Sequence, residues 1–381
     1  MTICYSICMA GLYIHIPFCT KKCHYCNFVI TTQKTSEAHG NFLTALEREI
    51  AHYRSDLKNT VFETLYLGGG TPSVLSAEMT NKLFQLIRAN FKFKKNAEVT
   101  CEANPGDIDQ KAAKNYKLLG VNRMSLGAQS FQNETLKRLN RCHGVTQILD
   151  SFQILRDTGF RNINLDLILS LPGEALDDVR HSLSEVLKLG PEHVSLYELV
   201  VEEKTVFGNL KKKGELRLPE ETLQIEMLSL ARETLKASGF DHYELLSYAK
   251  PGFRSRHNLI YWANQEYLGL GPGAFSYLRG RRFRNSSSYM EYLQKIKKRD
   301  WSAFEEEKLS PEKKEIESLL LALRLKEGAS EWRFRSLFRE FEPHLKSLKA
   351  KGLVERKKGY VRLTDRGQFF AETVFSELSG L

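Results

Sequence analysis

Cys19, Cys23 and Cys26 stand in the run Ile14-His15-Ile16-Pro17-Phe18-Cys19-Thr20-Lys21-Lys22-Cys23-His24-Tyr25-Cys26-Asn27-Phe28, with the spacing C-x3-C-x2-C. Three clustered thiols are one short of a closed four-cysteine site. A cubane [4Fe–4S] cluster needs a ligand on each iron, and thiolate suits it. Three protein thiolates would leave one iron open, and an open coordination position is what separates a reactive metal site from a purely structural one. A zinc site completed by His15 or His24 is the competing reading, although zinc sites favour paired C-x2-C half-sites and none follows here. A disulfide framework fits poorly: seven cysteines in 381 residues is an odd number and an ordinary density, and such close spacing disfavours pairing. Cys4, Cys8, Cys101 and Cys142 read as plain thiols; Cys4 and Cys8 repeat the C-x3-C spacing with nothing downstream to complete it.

Other polar groups recur at regular places. Gly68-Gly69-Gly70-Thr71-Pro72 can serve as a backbone cradle, because glycine permits positive φ and close approach of amides to a polar ligand. It is not a P-loop, since no Gly-Lys-Ser/Thr follows; a plain tight turn explains it equally well. Glu102 suits an ammonium or ribose contact, or a salt bridge at a strand end. Asp166 sits between leucines in Asn164-Leu165-Asp166-Leu167, and an acid in an apolar strand needs a partner. Arg141 offers a guanidinium to a ligand carboxylate, or lies on a helix end.

The elements that must position these groups are legible. Short apolar runs at 12–16, 64–67, 98–102, 123–127, 163–169 and 193–199 read as buried parallel strands. Helical patterns at 42–53, 77–91, 110–119, 146–158 and 176–189 separate them, and Gly120, Gly159 and Gly190 follow helices where a C-cap belongs. Repeated β–α units imply a parallel sheet, and six units are too few for an eight-fold barrel. The cysteine loop, the glycine turn, Glu102, Gln129 and Asp166 fall in or just after successive strands. The C-terminal strand edge is where parallel α/β folds carry their sites. From Pro219 the pattern changes to a long helix ending at Ser238 and a glycine-rich stretch at 268–274. The last seventy or so residues read as two helices and a hairpin at 353–363, turning at Lys357-Lys358-Gly359.

The cysteine run, the Gly-Gly-Gly-Thr-Pro turn, the Asn-Leu-Asp-Leu strand with Leu171-Pro172-Gly173, and the C-terminal hairpin occur in an order that resembles the radical-SAM family of oxygen-independent coproporphyrinogen III oxidase-like proteins. That resemblance implies an α/β fold: a radical-SAM partial (β/α)6 barrel with a C-terminal α+β region ending in a winged-helix-like module. It divides the chain into a barrel with its cluster loop at 1–218, a family-specific region at 219–300 and the C-terminal module at 301–381. By the same resemblance Cys19, Cys23 and Cys26 bind the [4Fe–4S] cluster. Tyr13, Tyr25, Gly69, Gly70, Thr71, Glu102, Gln129, Arg141 and Asp166 match positions that contact S-adenosylmethionine (SAM).

Two departures favour the family's heme-chaperone branch, HemW, over its oxidase branch. Phe28 stands where the oxidase has a further cysteine, and the segment before the first strand is shorter than the oxidase's. In addition, His257-Asn258-Leu259-Ile260-Tyr261-Trp262 matches the H-N-x-x-Y-W string of the chaperone branch, which makes His257 the expected heme contact; a core histidine among aromatics is the alternative. The function expected is delivery of heme to a recipient hemoprotein, with respiratory hemoproteins as candidates. Radical-SAM decarboxylation of coproporphyrinogen III is the alternative, and catalytic residues are not assigned.

Composition sets the remaining expectations. The net charge of +10 is compatible with a nucleic-acid, anionic-lipid or polyanionic small-molecule partner. No base-reading constellation is visible, so nucleic acid is not expected, whereas peripheral membrane contact is compatible with the charge. Arg279-Gly280-Arg281-Arg282-Phe283-Arg284 is the densest basic cluster; it suits heme propionates or a solvated loop. The apolar first twenty residues lack a positive n-region and run into the cysteine motif, so they do not read as a signal peptide. With no membrane span, the expected location is cytoplasmic.

Overall fold

The computed structural model describes residues 10–379; Cys4, Cys8 and Met9 lie outside the described residues. Six parallel strands alternate with helices in chain order: β1 (Gly11–Ile16), α1 (Ser36–Arg54), β2 (Val61–Gly69), α2 (Ala77–Asn90), β3 (Lys92–Ala103), α3 (Gln110–Leu118), β4 (Arg123–Gln129), α4 (Asn133–Arg138), α5 (Val145–Asp157), β5 (Ile163–Leu169), α6 (Leu176–Leu189) and β6 (His193–Glu198). Their order in the sheet is their order in the chain. Local chemistry starts and stops the helices: the side chains of Thr35, Ser76 and Asp109 accept the amides of Ala38, Met79 and Ala112 at three N-termini, and Gly190 closes α6 in the left-handed conformation. The strands are buried on both faces, as in Ile163–Leu169, where only Asp166 escapes full burial; Ile163, Leu165, Leu167 and Leu169 join the main apolar core on one face, while Asn164 and Asp166 bond to each other and to Ser125 on the other.

The chain continues with α7 (Val206–Lys212), α8 (Glu221–Ala237), β7 (Asp241–Glu244), β8 (Ser247–Ala249), α9 (Arg256–Trp262), β9 (Tyr267–Leu270), β10 (Phe275–Leu278), β11 (Arg281–Arg284), α10 (Tyr289–Lys298) and β12 (Glu305–Lys308). These strands extend the same sheet to twelve: β9 pairs parallel with β1, β10 to β12 add antiparallel beyond it, and β8 and β7 add antiparallel beyond β6. The segment at 219–300 therefore shares its sheet and main apolar core with the preceding barrel.

The remainder is α11 (Pro311–Leu323), β13 (Ala329–Ser330), α12 (Arg335–Glu340), α13 (Glu342–Ala350), β14 (Val354–Lys357), β15 (Tyr360–Leu363), α14 (Asp365–Phe369) and α15 (Ala371–Ser379). The expected hairpin is β14–β15, with Lys358 and Gly359 both at positive φ in the turn. β13 adds to it, and the three strands and their helices share a second core that includes Leu319, Leu337, Leu348, Val361 and Val374.

The arginine cluster is not an open basic patch. β11 lies antiparallel to β12, whose sequence is Glu-Glu-Glu-Lys. Arg281 pairs with Glu306, Arg284 with Glu305, Arg282 with Glu317 and Arg279 with Asp56. Arg281 and Arg284 meet their glutamates across the sheet, whereas Arg282 reaches α11 and Arg279 the turn after α1, so these guanidiniums are not held free for propionates.

Candidate functional site

The strand C-termini of the barrel open into one cavity of about 500 Å³, within the range of small-molecule sites. Cys19, Cys23 and Cys26 line it together with Tyr25, Gly69, Gly70, Thr71, Glu102, Gln129, Arg141 and Asp166. Thus all three expected cluster ligands, and eight of the nine residues expected to contact SAM, reach the same space. Tyr13 does not: it lies in the barrel interior, with its ring 6.0 Å from Tyr66 and 6.4 Å from His257.

The cysteine loop is pinned at both ends. Pro17 O accepts from Thr31 N at 2.7 Å, and Cys19 N donates to Thr31 O at 3.0 Å. His24 N reaches Leu139 O, its Nδ1 donates to Arg138 O at 2.9 Å, and Asn140 Nδ2 donates to Lys22 O at 2.9 Å. All three thiols are free and half-buried. Burial pushes the Cys19 thiol up to about 11 and raises that of Cys26. Three unpaired soft sulfurs on one cavity wall fit the donor set of an iron–sulfur cluster. The zinc alternative loses one of its histidines: His15 is buried, donates from Nε2 to Val29 O at 2.8 Å and meets Tyr13 Oη through Nδ1 at 3.2 Å.

A hydrogen-bonded circuit joins the cysteines to the strand ends. Arg141 Nη1 reaches Cys23 Sγ at 3.4 Å and Tyr25 Oη at 3.5 Å; its Nη2 donates to Asn104 Oδ1 at 2.5 Å and to Gly127 O at 2.9 Å. Asn104 Nδ2 donates to Thr71 Oγ1 at 3.2 Å, and Thr71 Oγ1 meets Cys19 Sγ at 3.4 Å. Two of the three thiols are thereby tied through Arg141, Asn104 and Thr71. Sequence reading gave Asn104 no role; its place directly after β3, ahead of Pro105-Gly106, was the available signal.

The glycine turn departs from the cradle expected of it. Its amides are spent inside the protein: Gly69 N donates to Glu102 Oε2 at 3.2 Å, Gly70 N to Ile16 O at 2.8 Å and Thr71 N to Phe18 O at 2.8 Å. Glycine is needed here for close approach. A Cβ at Gly69, where φ is +107°, would lie 2.6 Å from the His15 ring, and one at Gly70 would lie 2.7 Å from Phe18 O. The turn brings β1 and β2 together at the cavity floor.

Of the carboxylates lining the cavity, Glu102 and Asp166 stand on the barrel strands β3 and β5. Glu102 accepts from Tyr66 Oη at 2.8 Å, and burial, with the nearby Asp166 charge, pushes its pKa up to about 7. Asp166 accepts from Ser125 Oγ at 3.2 Å and Asn164 Nδ2 at 2.7 Å, and burial raises it too. A bound cation would relieve both. Carboxylates for an ammonium or ribose, a guanidinium for a carboxylate, and apolar Ile168 and Leu199 for a purine fit the chemistry of SAM. Gln129 closes β4 at a positive φ of 67°, a strained geometry for a non-glycine residue.

His257 does not line the cavity; its ring lies 5.0 Å from that of Tyr66 and it is only 1% exposed. Its Nδ1 meets Thr64 Oγ1 and its Nε2 meets Tyr261 Oη, both at 2.7 Å. Glu98 accepts from the amides of Arg256 and His257 at 3.1 and 3.0 Å, fixing the start of α9. Burial, aided by the Arg123 charge, lowers the imidazole pKa to about 3. With both ring nitrogens engaged and the ring enclosed, this geometry does not present the expected heme ligand; the motif instead ties α9 to β2 and β3.

Comparison with known proteins agrees with this architecture. A family model described as the radical SAM superfamily matches residues 13–186. The heme chaperone HemW of Bacillus subtilis (strain 168) is 37% identical over 98% of this chain and 100% of its own length. The heme chaperone HemW of Escherichia coli (strain K12) is 32% identical over 96% of both chains. Among solved structures, the radical-SAM enzyme coproporphyrinogen III oxidase (HemN) from Escherichia coli superposes with a TM-score of 0.85 at 23% identity, covering 97% of this chain and 90% of that one.

Proposed function

The chain belongs to the heme chaperone HemW family within the radical SAM superfamily, and from that premise we propose that it binds a [4Fe–4S] cluster, SAM and heme and passes heme to a recipient hemoprotein. The observation that carries this reading is the convergence of three free thiols with Glu102, Asp166 and Arg141 on one cavity. Cys19, Cys23 and Cys26 hold the cluster. When bound, it supplies one iron without a protein ligand, where the amino and carboxylate groups of SAM can chelate. Arg141 neutralises the cysteine side and orients Cys23, while Glu102 and Asp166 take the ammonium and ribose side. Ile168 and Leu199 keep water from the adenine. No helix among the described residues is long and apolar enough to cross a membrane. Contact with a membrane-bound respiratory recipient would then be peripheral.

Decarboxylation of coproporphyrinogen III is the competing function. The structural neighbour that carries out this chemistry shares the fold at 23% identity, a likeness that extends to fold alone. Anaerobic reconstitution with iron and sulfide, followed by hemin titration and a coproporphyrinogen III assay, separates the two. Saturable heme binding without porphyrinogen turnover is expected. Turnover without heme binding would replace the chaperone with the enzyme.

A further inference from the structure

Phe28 and Val200 are 66% and 67% exposed, an unusual state for large apolar side chains, and both line the mouth of the cysteine cavity. They come from opposite ends of the six-stranded parallel array, Phe28 from the loop after β1 and Val200 from the segment after β6. Ile30 and Leu199 line the same cavity beside them. Scattered exposed hydrophobics need no explanation; several gathered at one cavity mouth mark a place where an apolar surface is covered.

Charge gives the occupant a direction. Lys21 and Lys22 are exposed, line the same mouth and form no ion pair among the described residues, whereas Arg279, Arg281, Arg282 and Arg284 are all paired. The acidic groups at the mouth, Glu198 and Glu202, lie on the β6 side with Val200. An apolar span with free cations at one end and carboxylates at the other suits a flat apolar molecule carrying its negative charge on one edge. Among the described residues no histidine lines the cavity.

We propose that heme docks across this mouth, its macrocycle on Phe28 and Val200 and its propionates on Lys21 and Lys22, closing the cavity above SAM. The proposal rests on the heme-chaperone reading and adds the location. Recognition is then by ring face and carboxylates, so iron-free protoporphyrin IX occupies the same place.

The test uses cluster-loaded full-length protein titrated anaerobically with hemin, with iron and sulfide content as the control for the cluster. The wild type should bind hemin and release it to competing protoporphyrin IX. Val200→Ser, remote in sequence from the cysteines, and Phe28→Ser should each weaken hemin binding at least several-fold. Lys21→Glu with Lys22→Glu should weaken hemin but leave heme dimethyl ester unchanged, because the ester carries no propionate charge. Arg281→Glu should leave hemin binding unaltered. Wild-type binding with both Val200→Ser and the lysine pair within twofold of it would overturn the location and leave the chaperone reading standing. A wild-type protein that binds no hemin would overturn both.

Discussion

At the scale of single residues the site depends on a circuit that crosses four strand ends. Cys23, Arg141, Asn104, Thr71 and Cys19 are joined in sequence by hydrogen bonds. Cys19→Ala, Cys23→Ala or Cys26→Ala should each abolish the cluster, read as loss of acid-labile sulfide and of the EPR signal after reduction. Cys101→Ala and Cys142→Ala should retain it; a cluster surviving in Cys23→Ala would contradict the ligand assignment. Asp166→Ala should weaken SAM binding about tenfold or more, the loss expected of a charge-assisted hydrogen bond. Equilibrium dialysis on the folded variant checks this, and unchanged affinity would make Asp166 a structural acid bonded to Ser125 and Asn164. The thiols were legible because spacing alone implies a shared metal. Asn104 was not, because an asparagine before Pro-Gly reads equally as turn chemistry. Tyr13 shares the interior face of β1 with His15 but sits further from the strand end, so its ring meets Tyr66 and His257 below the cavity lining.

Elements explain both why the strand edge forms and why distant segments hold it. Glu49 of α1 accepts from Gly271 N at 2.9 Å, Asn285 Nδ2 at 2.6 Å and Tyr292 Oη at 2.8 Å, joining α1 to the loop after β9 and to α10. Burial pushes its pKa from 4.5 up to about 7. Between those values the native protein keeps a proton that the unfolded chain has released, so stability falls as pH rises through this window and levels off above it. Glu49→Gln should remove that slope, measured by urea unfolding at pH 5 and pH 8; equal slopes in variant and wild type would contradict the assignment. His257 works similarly on α9. His257→Ala should cost about 2–4 kcal/mol, since the hydroxyls of Thr64 and Tyr261 lose their buried partner, while hemin affinity of the folded variant stays unchanged. Full stability in that variant would show that the imidazole is not a structural tie. The six barrel strands were visible as apolar runs between helices, but β7 to β12 are four residues or fewer, too short for alternation to register. The arginine–glutamate ladder was hidden because 281–284 and 305–308 meet only through the sheet, and the H-N-x-x-Y-W string names residue types without fixing which way the ring points.

Over the whole molecule, one continuous sheet carries the cysteine cavity at its strand C-termini and adds antiparallel strands at both margins. The fold follows from repeated β–α units, and the C-terminal hairpin and its small core sit at the end of the chain with their own apolar contacts. The function proposed at this scale is movement of heme from one protein to another. The direct measurement is anaerobic transfer of heme from the heme- and cluster-loaded protein to an apo-hemoprotein, followed by the recipient's absorption spectrum, in the presence of SAM. The account predicts that holo-recipient forms faster than from free hemin at the same concentration, and that Cys23→Ala loses the gain. Transfer no faster than from free hemin, together with anaerobic decarboxylation of coproporphyrinogen III by the same preparation, would contradict it.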